Sequence, residues 1–232
     1  MLKPLIRWPG GQYHTAKRLV AAMPPHEVYV EPFAGGLSVF WNKPRAETEI
    51  IGDMNADLIK FYNAARTGKV DRCKPVKQTS ATFAAAKASF KTSPCAFFAL
   101  NKMAYDGSTE ETRSVKNDGK VLGRQALAKL PEYAARLRKT TLTIGDFEKV
   151  MRKHDGPETL HFLDPPWNKD AMSAQYAKTK YGKKHAGVAL ERVADVASSM
   201  EGKVLMIYQD SPEARKVLRS RGFKLYRLPA GG

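Results

Sequence analysis

Two consecutive prolines placed directly after an apolar run constrain this chain more than any other feature. Thr159-Leu160-His161-Phe162-Leu163 reads as a short buried strand, and Asp164-Pro165-Pro166-Trp167 follows it. Prolines lack backbone N–H groups, so the carbonyls of Asp164 and Pro165 are not drawn into a helical turn and can point at a ligand. In an open α/β sheet, ligands bind just beyond the carboxyl ends of strands, which is where these residues stand. A carboxylate, a turned-out carbonyl and an indole face then meet within four residues. They suit a flat heteroaromatic ring carrying an amino group: Asp164 and the Pro165 carbonyl accept hydrogen bonds from the amine, and Trp167 stacks on the ring. Adenine fits that description. On these four residues alone, a plain turn with Trp167 capping the core stays open.

The rest of the chain supplies the context. Pro4-Leu5-Ile6-Arg7-Trp8-Pro9-Gly10-Gly11-Gln12 opens it, and a helix from about Thr15 to Ala22 is ended by Pro24-Pro25. A glycine pair between an aromatic residue and a helix start allows close backbone approach to a ligand. Val28-Tyr29-Val30-Glu31 then breaks into Pro32-Phe33-Ala34-Gly35-Gly36 and a helix over Leu37 to Trp41, the first strand, loop and helix of a Rossmann-like unit. Neither the dinucleotide fingerprint nor a phosphate loop is present, which favours a cofactor without a pyrophosphate. A second strand, Glu49-Ile50-Ile51-Gly52, leads to Asp53, which can accept both hydroxyls of a ribose or cap the helix that starts near Asn55.

Arg7-Trp8-Pro9-Gly10-Gly11-Gln12, Glu31-Pro32-Phe33-Ala34-Gly35-Gly36, Asp53-Met54-Asn55 and Asp164-Pro165-Pro166-Trp167 occur in this order. Together they resemble the Dam-type, class alpha DNA adenine N6-methyltransferases, over about Leu5 to Leu228. The resemblance implies transfer of a methyl group from S-adenosylmethionine to the exocyclic amine of adenine. It also implies an α/β fold: a Rossmann-like methyltransferase sheet with a helical and hairpin DNA-recognition insertion. Residues 1–60 and 132–232 are expected to form the catalytic domain and 61–131 the insertion. Carried over, the catalytic residues are Asp164, Pro165, Pro166 and Trp167. The cofactor residues are Trp8, Gly10, Gly11, Gln12, Phe33, Gly35, Asp53 and Asp164, with Asp146 and Phe147 similar to the family's adenine-contacting pair. As an alternative, Asp146 caps an ordinary strand-to-helix turn after Thr141 to Ile144. Gln12 departs from the family's usual lysine, with Lys17 a more distant substitute. Trp167 replaces a commoner tyrosine.

Within the insertion, Ser80 to Lys91 reads as helix and Cys95 to Met103 as an apolar run. Asn101-Lys102-Met103-Ala104-Tyr105-Asp106-Gly107 resembles the family's Asn-Arg-x-x-x-Asn-Gly segment, with Asp106 in the second Asn position. Thr112 to Arg124 reads as a polar hairpin turning at Asn117-Asp118-Gly119. The resemblance places such a hairpin in the major groove, making Arg113, Lys116, Lys120 and Arg124 candidate DNA contacts, with Asn101 of the preceding segment. A solvated surface hairpin is the alternative, and its short length points to weak or absent sequence specificity. Asn168 to Gly187 interleaves Tyr176 and Tyr181 with Lys178, Lys180, Lys183 and Lys184, a composition suited to a phosphate-clamping loop or to a solvated one. Helices over Val188 to Met200 and Pro212 to Arg221, and strands over Lys203 to Tyr208 and Phe223 to Leu228, complete the reading. The family's usual last antiparallel strand is not evident.

The chain has 232 residues, and 39 Lys plus Arg against 23 Asp plus Glu leave a formal charge of +16. Such a balance points to a polyanion or to a generally basic, soluble protein, and the resemblance implies double-stranded DNA as the partner. Cys73 and Cys95 make neither a disulfide framework nor a metal site and read as separate thiols; no metal is expected. No signal peptide or membrane-length apolar run is seen, so the expected place is the cytoplasm of a bacterial or phage-infected cell. Two rival readings stay open. One is an RNA adenine methyltransferase, since the Asp-Pro-Pro-Trp motif also resembles the mRNA enzymes. The other is a DNA-binding module that kept the fold and lost catalysis, suggested by Gln12 and the missing strand. Recognition site, oligomeric state and a role in host restriction-modification, phage self-protection or regulation are not fixed by the sequence.

Overall fold

A computed structural model describes residues 1–104, 107, 109, 118–167 and 188–228. Its centre is a sheet of five parallel strands: β1 (Val28–Glu31), β2 (Thr48–Asp53), β5 (Thr140–Ile144), β6 (Thr159–Leu163) and β7 (Lys203–Met206). Their order is β5-β2-β1-β6-β7. Val28 pairs with Thr48 on one side and with Thr159 on the other, and Asp53 pairs with Ile144. From β1 the chain works outward through β2 to β5, then returns to the opposite flank of β1 as β6. This reversal is where a doubly wound sheet opens a crevice.

The strands are apolar runs because both sheet faces are covered. Alternation sends Tyr29, Ile51, Leu160 and Phe162 into a large core with α1 (Ala16–Ala21), α2 (Ala56–Arg66), α4 (Pro94–Met103) and α6 (Leu130–Leu137). On the other face, Leu163 meets α7 (Phe147–Lys153) and α8 (Leu190–Ser198). Helix α8 then packs on α9 (Pro212–Arg219) through Leu190, Ala194, Ala214 and Leu218. Among the described residues, no helix is long and apolar enough to cross a membrane.

The region between β2 and β5 is mainly helical. It holds β3 (Val76–Lys77), α3 (Ser80–Ser89), α4, β4 (Val121–Leu122) and α5 (Arg124–Leu127). The expected boundary at residue 60 falls inside α2, whose Phe61, Tyr62 and Ala65 belong to the main core. Strand β4 pairs antiparallel with β3, and Arg124 opens a helix, because Gly123 at φ 86° turns the chain out of the ladder. The first arm of the expected hairpin lies outside the described residues.

Three further expectations are corrected. Leu37 to Trp41 forms successive turns, not a helix: Leu37 itself sits at φ 55°, and Pro44 prevents continuation. Phe223 to Leu228 is not a strand among the described residues; Lys224 to Arg227 are exposed, Leu225 and Tyr226 among them, so no buried face forms there. Cys73 and Cys95 are bonded to each other, because the 22-residue excursion through β3 and α3 brings the chain back to the start of α4.

Glu49 on β2 ties the sheet to its surroundings. Its carboxylate takes Lys43 Nζ at 2.8 Å, Arg136 of α6 and, at 3.8 Å, Arg45, and its own side chain and that of Lys43 are almost fully buried. Glu49→Ala leaves Lys43 and Arg136 without their counter-charge, so it is expected to cost about 3–5 kcal/mol. Urea unfolding measures this, and a loss below about 1 kcal/mol would contradict the assignment.

Candidate active site

At the carboxyl edge of the sheet, a cavity of about 460 Å³ opens between the ends of β1, β2 and β6. That is the size of a small-molecule site. Its walls come from the Trp8–Gln12 loop, the Glu31–Val39 segment after β1, Asp53 and Met54 after β2, and Phe162 with Asp164–Trp167 around the end of β6.

Each wall has a local cause. The segment after β1 runs beside β2, with Ala34 N–H donating to the Gly52 carbonyl at 2.9 Å. Gly35 at φ 45° is required there: a Cβ would lie 2.8 Å from Trp8 Cδ1, so the indole packs directly on the glycine backbone. Gly35 N–H donates to Asp53 Oδ2 at 3.2 Å, and its carbonyl accepts from Tyr62 at 2.6 Å. Asp53 also accepts from Asn55 N–H at 2.8 Å. The cap of α2 is Asn55, whose side chain takes Leu58 N–H, so Asp53 is not the cap.

Strand β6 ends where the prolines begin. Ile207 N–H donates to the Leu163 carbonyl at 2.9 Å, and Asp164 then turns into the cavity. Gln12 Nε2 reaches Asp164 Oδ1 at 3.4 Å while also donating to the Gly10 carbonyl at 2.9 Å; its Oε1 accepts from Thr15. Trp167 lies 6.2 Å from the Tyr208 ring, centroid to centroid, tilted by 54°.

Among the described residues, the lining carries three carboxyl groups, Glu31, Asp53 and Asp164, and no lysine or arginine. Burial pushes Asp164 up to about 7, against the opposing hydrogen bond from Gln12. Burial pushes Asp53 up to about 6, with the Asn55 and Gly35 amides pulling the other way. Glu31, 3% exposed and accepting from Tyr29 Oη at 2.7 Å, is pushed by burial up to about 8, and the nearby Asp164 adds to the rise. A cavity with apolar walls and unneutralised carboxyls suits a ligand that is flat at one end and positively charged elsewhere.

The structure thus brings together Trp8, Gly10, Gly11, Gln12, Phe33, Gly35, Asp53, Asp164, Pro165, Pro166 and Trp167. Asp146 and Phe147 are not in the lining. Asp146 caps α7 through Glu148 N–H and pairs with Arg192 at 2.8 Å, while Phe147 stacks behind Phe33 at 5.2 Å. Asn101 is also corrected as a surface contact. Fully buried, it donates to the Arg7 and Gly107 carbonyls at 2.8 and 2.7 Å and accepts from Arg7 N–H at 2.9 Å, clamping α4 to the loop that carries Trp8. Lys120 and Arg124 are exposed, Lys120 beside Asp118 at 3.1 Å, and Lys17 is exposed outside the cavity. Asp106, Arg113, Lys116, Lys178, Lys180, Lys183 and Lys184 lie outside the described residues. Three lining or neighbouring residues escape the sequence reading: Glu31, Ser38 and Tyr208. Glu31 sits inside the Glu31–Gly36 motif as its polar member and Ser38 two residues beyond it, whereas nothing local marks Tyr208.

A family model described as D12 class N6 adenine-specific DNA methyltransferase matches residues 8–230. The DNA adenine methylase of Haemophilus influenzae is 25% identical over 252 residues, spanning 97% of this chain and 86% of that protein. Type II methyltransferase M.CviBI of Paramecium bursaria Chlorella virus NC1A is 24% identical over 223 residues, 89% of this chain and 82% of its own. The DNA N-6-adenine-methyltransferase of Escherichia phage P1 is 24% identical over 247 residues, 97% of this chain and 32% of that protein.

Gln12 offers Asp164 an amide dipole and no charge. Gln12→Lys places a cation against the carboxylate and is expected to lower the Asp164 midpoint from about 7 by roughly one to three units. Carboxyl ¹³C shifts followed through a pH titration read this directly; an unmoved midpoint would show that side chain 12 does not govern the carboxylate.

Proposed function

From the premise that the chain belongs to the D12 class of N6 adenine-specific DNA methyltransferases, we propose that the cavity between β1 and β6 binds S-adenosylmethionine and faces an adenine turned out of double-stranded DNA. The observation that carries this reading is the joining, in one cavity whose described lining holds no lysine or arginine, of three carboxyls to the Asp164–Trp167 segment. S-adenosylmethionine, when bound, supplies the methyl group on a positively charged sulfur. Asp53 would hold the ribose hydroxyls, Trp8 and Phe33 the flat walls, and the Gly10–Gly11 and Gly35 backbones the close approach.

A stacked adenine cannot reach a buried cavity, so the base has to leave the duplex. Trp167, with Tyr208 behind it, offers a ring face for the base. Asp164 and the Pro165 carbonyl accept the two amine hydrogens, which turns the nitrogen lone pair toward the methyl group. Rate then comes mainly from positioning. Asp164 needs little basicity, because an aromatic amine that has gained a methyl group sheds its proton readily.

DNA contact is assigned to residues 67–129, between the end of α2 and the start of α6, with Arg113, Lys116, Lys120 and Arg124, and to Lys178, Lys180, Lys183 and Lys184. The net charge of +16 supports a polyanionic partner. This reading carries a cytoplasmic location with it.

Asp164→Asn is expected to abolish incorporation of label from methyl-labelled S-adenosylmethionine into duplex DNA while leaving DNA affinity within about three-fold, since the carboxylate positions the amine and not the duplex. Retained incorporation would overturn the role. In the parent, the accepting form is the carboxylate, so kcat/KM is expected to fall about ten-fold per pH unit below a midpoint near 7 and to level off above it. Stability moves the other way. With its native pKa raised above the unfolded 3.8 to about 7, the folded chain binds more protons through that window, and the Asp164 contribution to stability declines as pH rises across it. The Asn variant is therefore expected to melt higher than the parent above pH 7; a lower melting point would contradict the burial argument.

A further inference from the structure

Ser38 stands in the cavity wall, 6% exposed, and its Oγ has no hydrogen-bond partner among the described residues. Buried hydroxyls are almost always paired, and an unpaired one is unfavourable. The sequence around it is apolar, with Leu37, Val39, Phe40 and Trp41 all buried, so a hydroxyl here needs a reason beyond packing. The space before it is kept clear by Gly11: a Cβ there would sit 3.5 Å from Ser38 Oγ and 3.2 Å from the Trp8 carbonyl oxygen.

The charge pattern says what belongs in that space. Glu31, Asp53 and Asp164, when ionised, draw cationic groups and repel anionic ones, and no lysine or arginine appears in the described lining. Any anionic group on the cofactor therefore has to be met by neutral donors, away from those carboxyls. Gln12 is engaged with the Gly10 carbonyl and Asp164, which leaves Ser38 as an uncommitted side-chain donor beside Gly11. We propose that the Ser38 hydroxyl donates a hydrogen bond to the carboxylate at the amino-acid end of the cofactor, where Gly11 leaves room for it. The assignment rests on the S-adenosylmethionine reading above.

The test compares binding to the parent and to Ser38→Ala by calorimetry, using three probes: S-adenosylhomocysteine, its decarboxylated analogue and 5′-methylthioadenosine, which lacks the whole amino-acid end. Loss of a hydrogen bond to a charged group is expected to weaken S-adenosylhomocysteine about ten-fold or more. The other two probes are expected to stay within about two-fold, because they carry no carboxylate. Without ligand, Ser38→Ala is expected to melt at or above the parent temperature, since it removes an unpaired buried hydroxyl. Unchanged S-adenosylhomocysteine affinity, or equal weakening of all three probes, would overturn the assignment and leave the cofactor reading standing. A lower melting point without ligand would overturn it in favour of a structural role. A folded parent that binds none of the three would remove both readings.

Discussion

Everything at the reactive edge depends on β6 stopping at Leu163. Pro165 and Pro166 have no N–H to offer a neighbour, so the ladder with β7 closes with Ile207 on the Leu163 carbonyl and the chain must turn. Because β6 lies directly against β1, that turn faces the loop that leaves β1 at Pro32. The two breaks stand side by side at the point where the strand order reverses, and the cavity is the gap between them. The Phe33–Gly36 loop is held from below by Asp53 and Tyr62 and from above by Trp8. Asn101 fixes Trp8 in turn, through both backbone groups of Arg7. The helical region between β2 and β5 is thus anchored to the wall of the cavity.

The cavity is electrostatically incomplete. Glu31, Asp53 and Asp164 each sit above the ordinary carboxylate range because burial outweighs what opposes it among the described residues, which for Glu31 includes the charges of Lys43 and Arg136, whereas at Glu49 direct hydrogen bonds from Arg136 and Lys43 hold the carboxylate below it. A ligand with a positive centre relieves what the protein leaves unanswered, so binding and ionisation are coupled at this edge. Gln12 sharpens the point. Where the family usually has lysine, this chain donates one long amide hydrogen bond to Asp164, so the carboxylate relies more on the ligand for its charge.

The architecture was legible in the sequence because its strands are covered on both faces and so appear as apolar runs, each ending in a break that only proline or glycine makes. The Asp164–Trp167 turn, the glycines under Trp8 and the acid after β2 were therefore found where they are. What the sequence hid depends on partners far along the chain. Asn101 reads as a polar surface residue until α4 is seen to bury it against Arg7. Asp146 pairs with Arg192, and Phe147 lies against Phe33, partners that nothing local in the sequence names. Leu37 to Trp41 stands where a Rossmann-like unit places its first helix, yet the positive φ of Leu37 winds it into turns, and that same winding places Ser38 in the wall. Cys73 and Cys95 meet only because the intervening helix doubles back.

We propose that one crevice, at the reversal between β1 and β6, presents the exocyclic amine of adenine to a methyl donor. Nucleoside mass spectrometry of unmodified duplex DNA incubated with the protein and S-adenosylmethionine tests it most directly. N6-methyldeoxyadenosine is expected to appear, dependent on Asp164. No methylated nucleoside from folded, cofactor-bound protein, or N4-methyldeoxycytidine in its place, would contradict it.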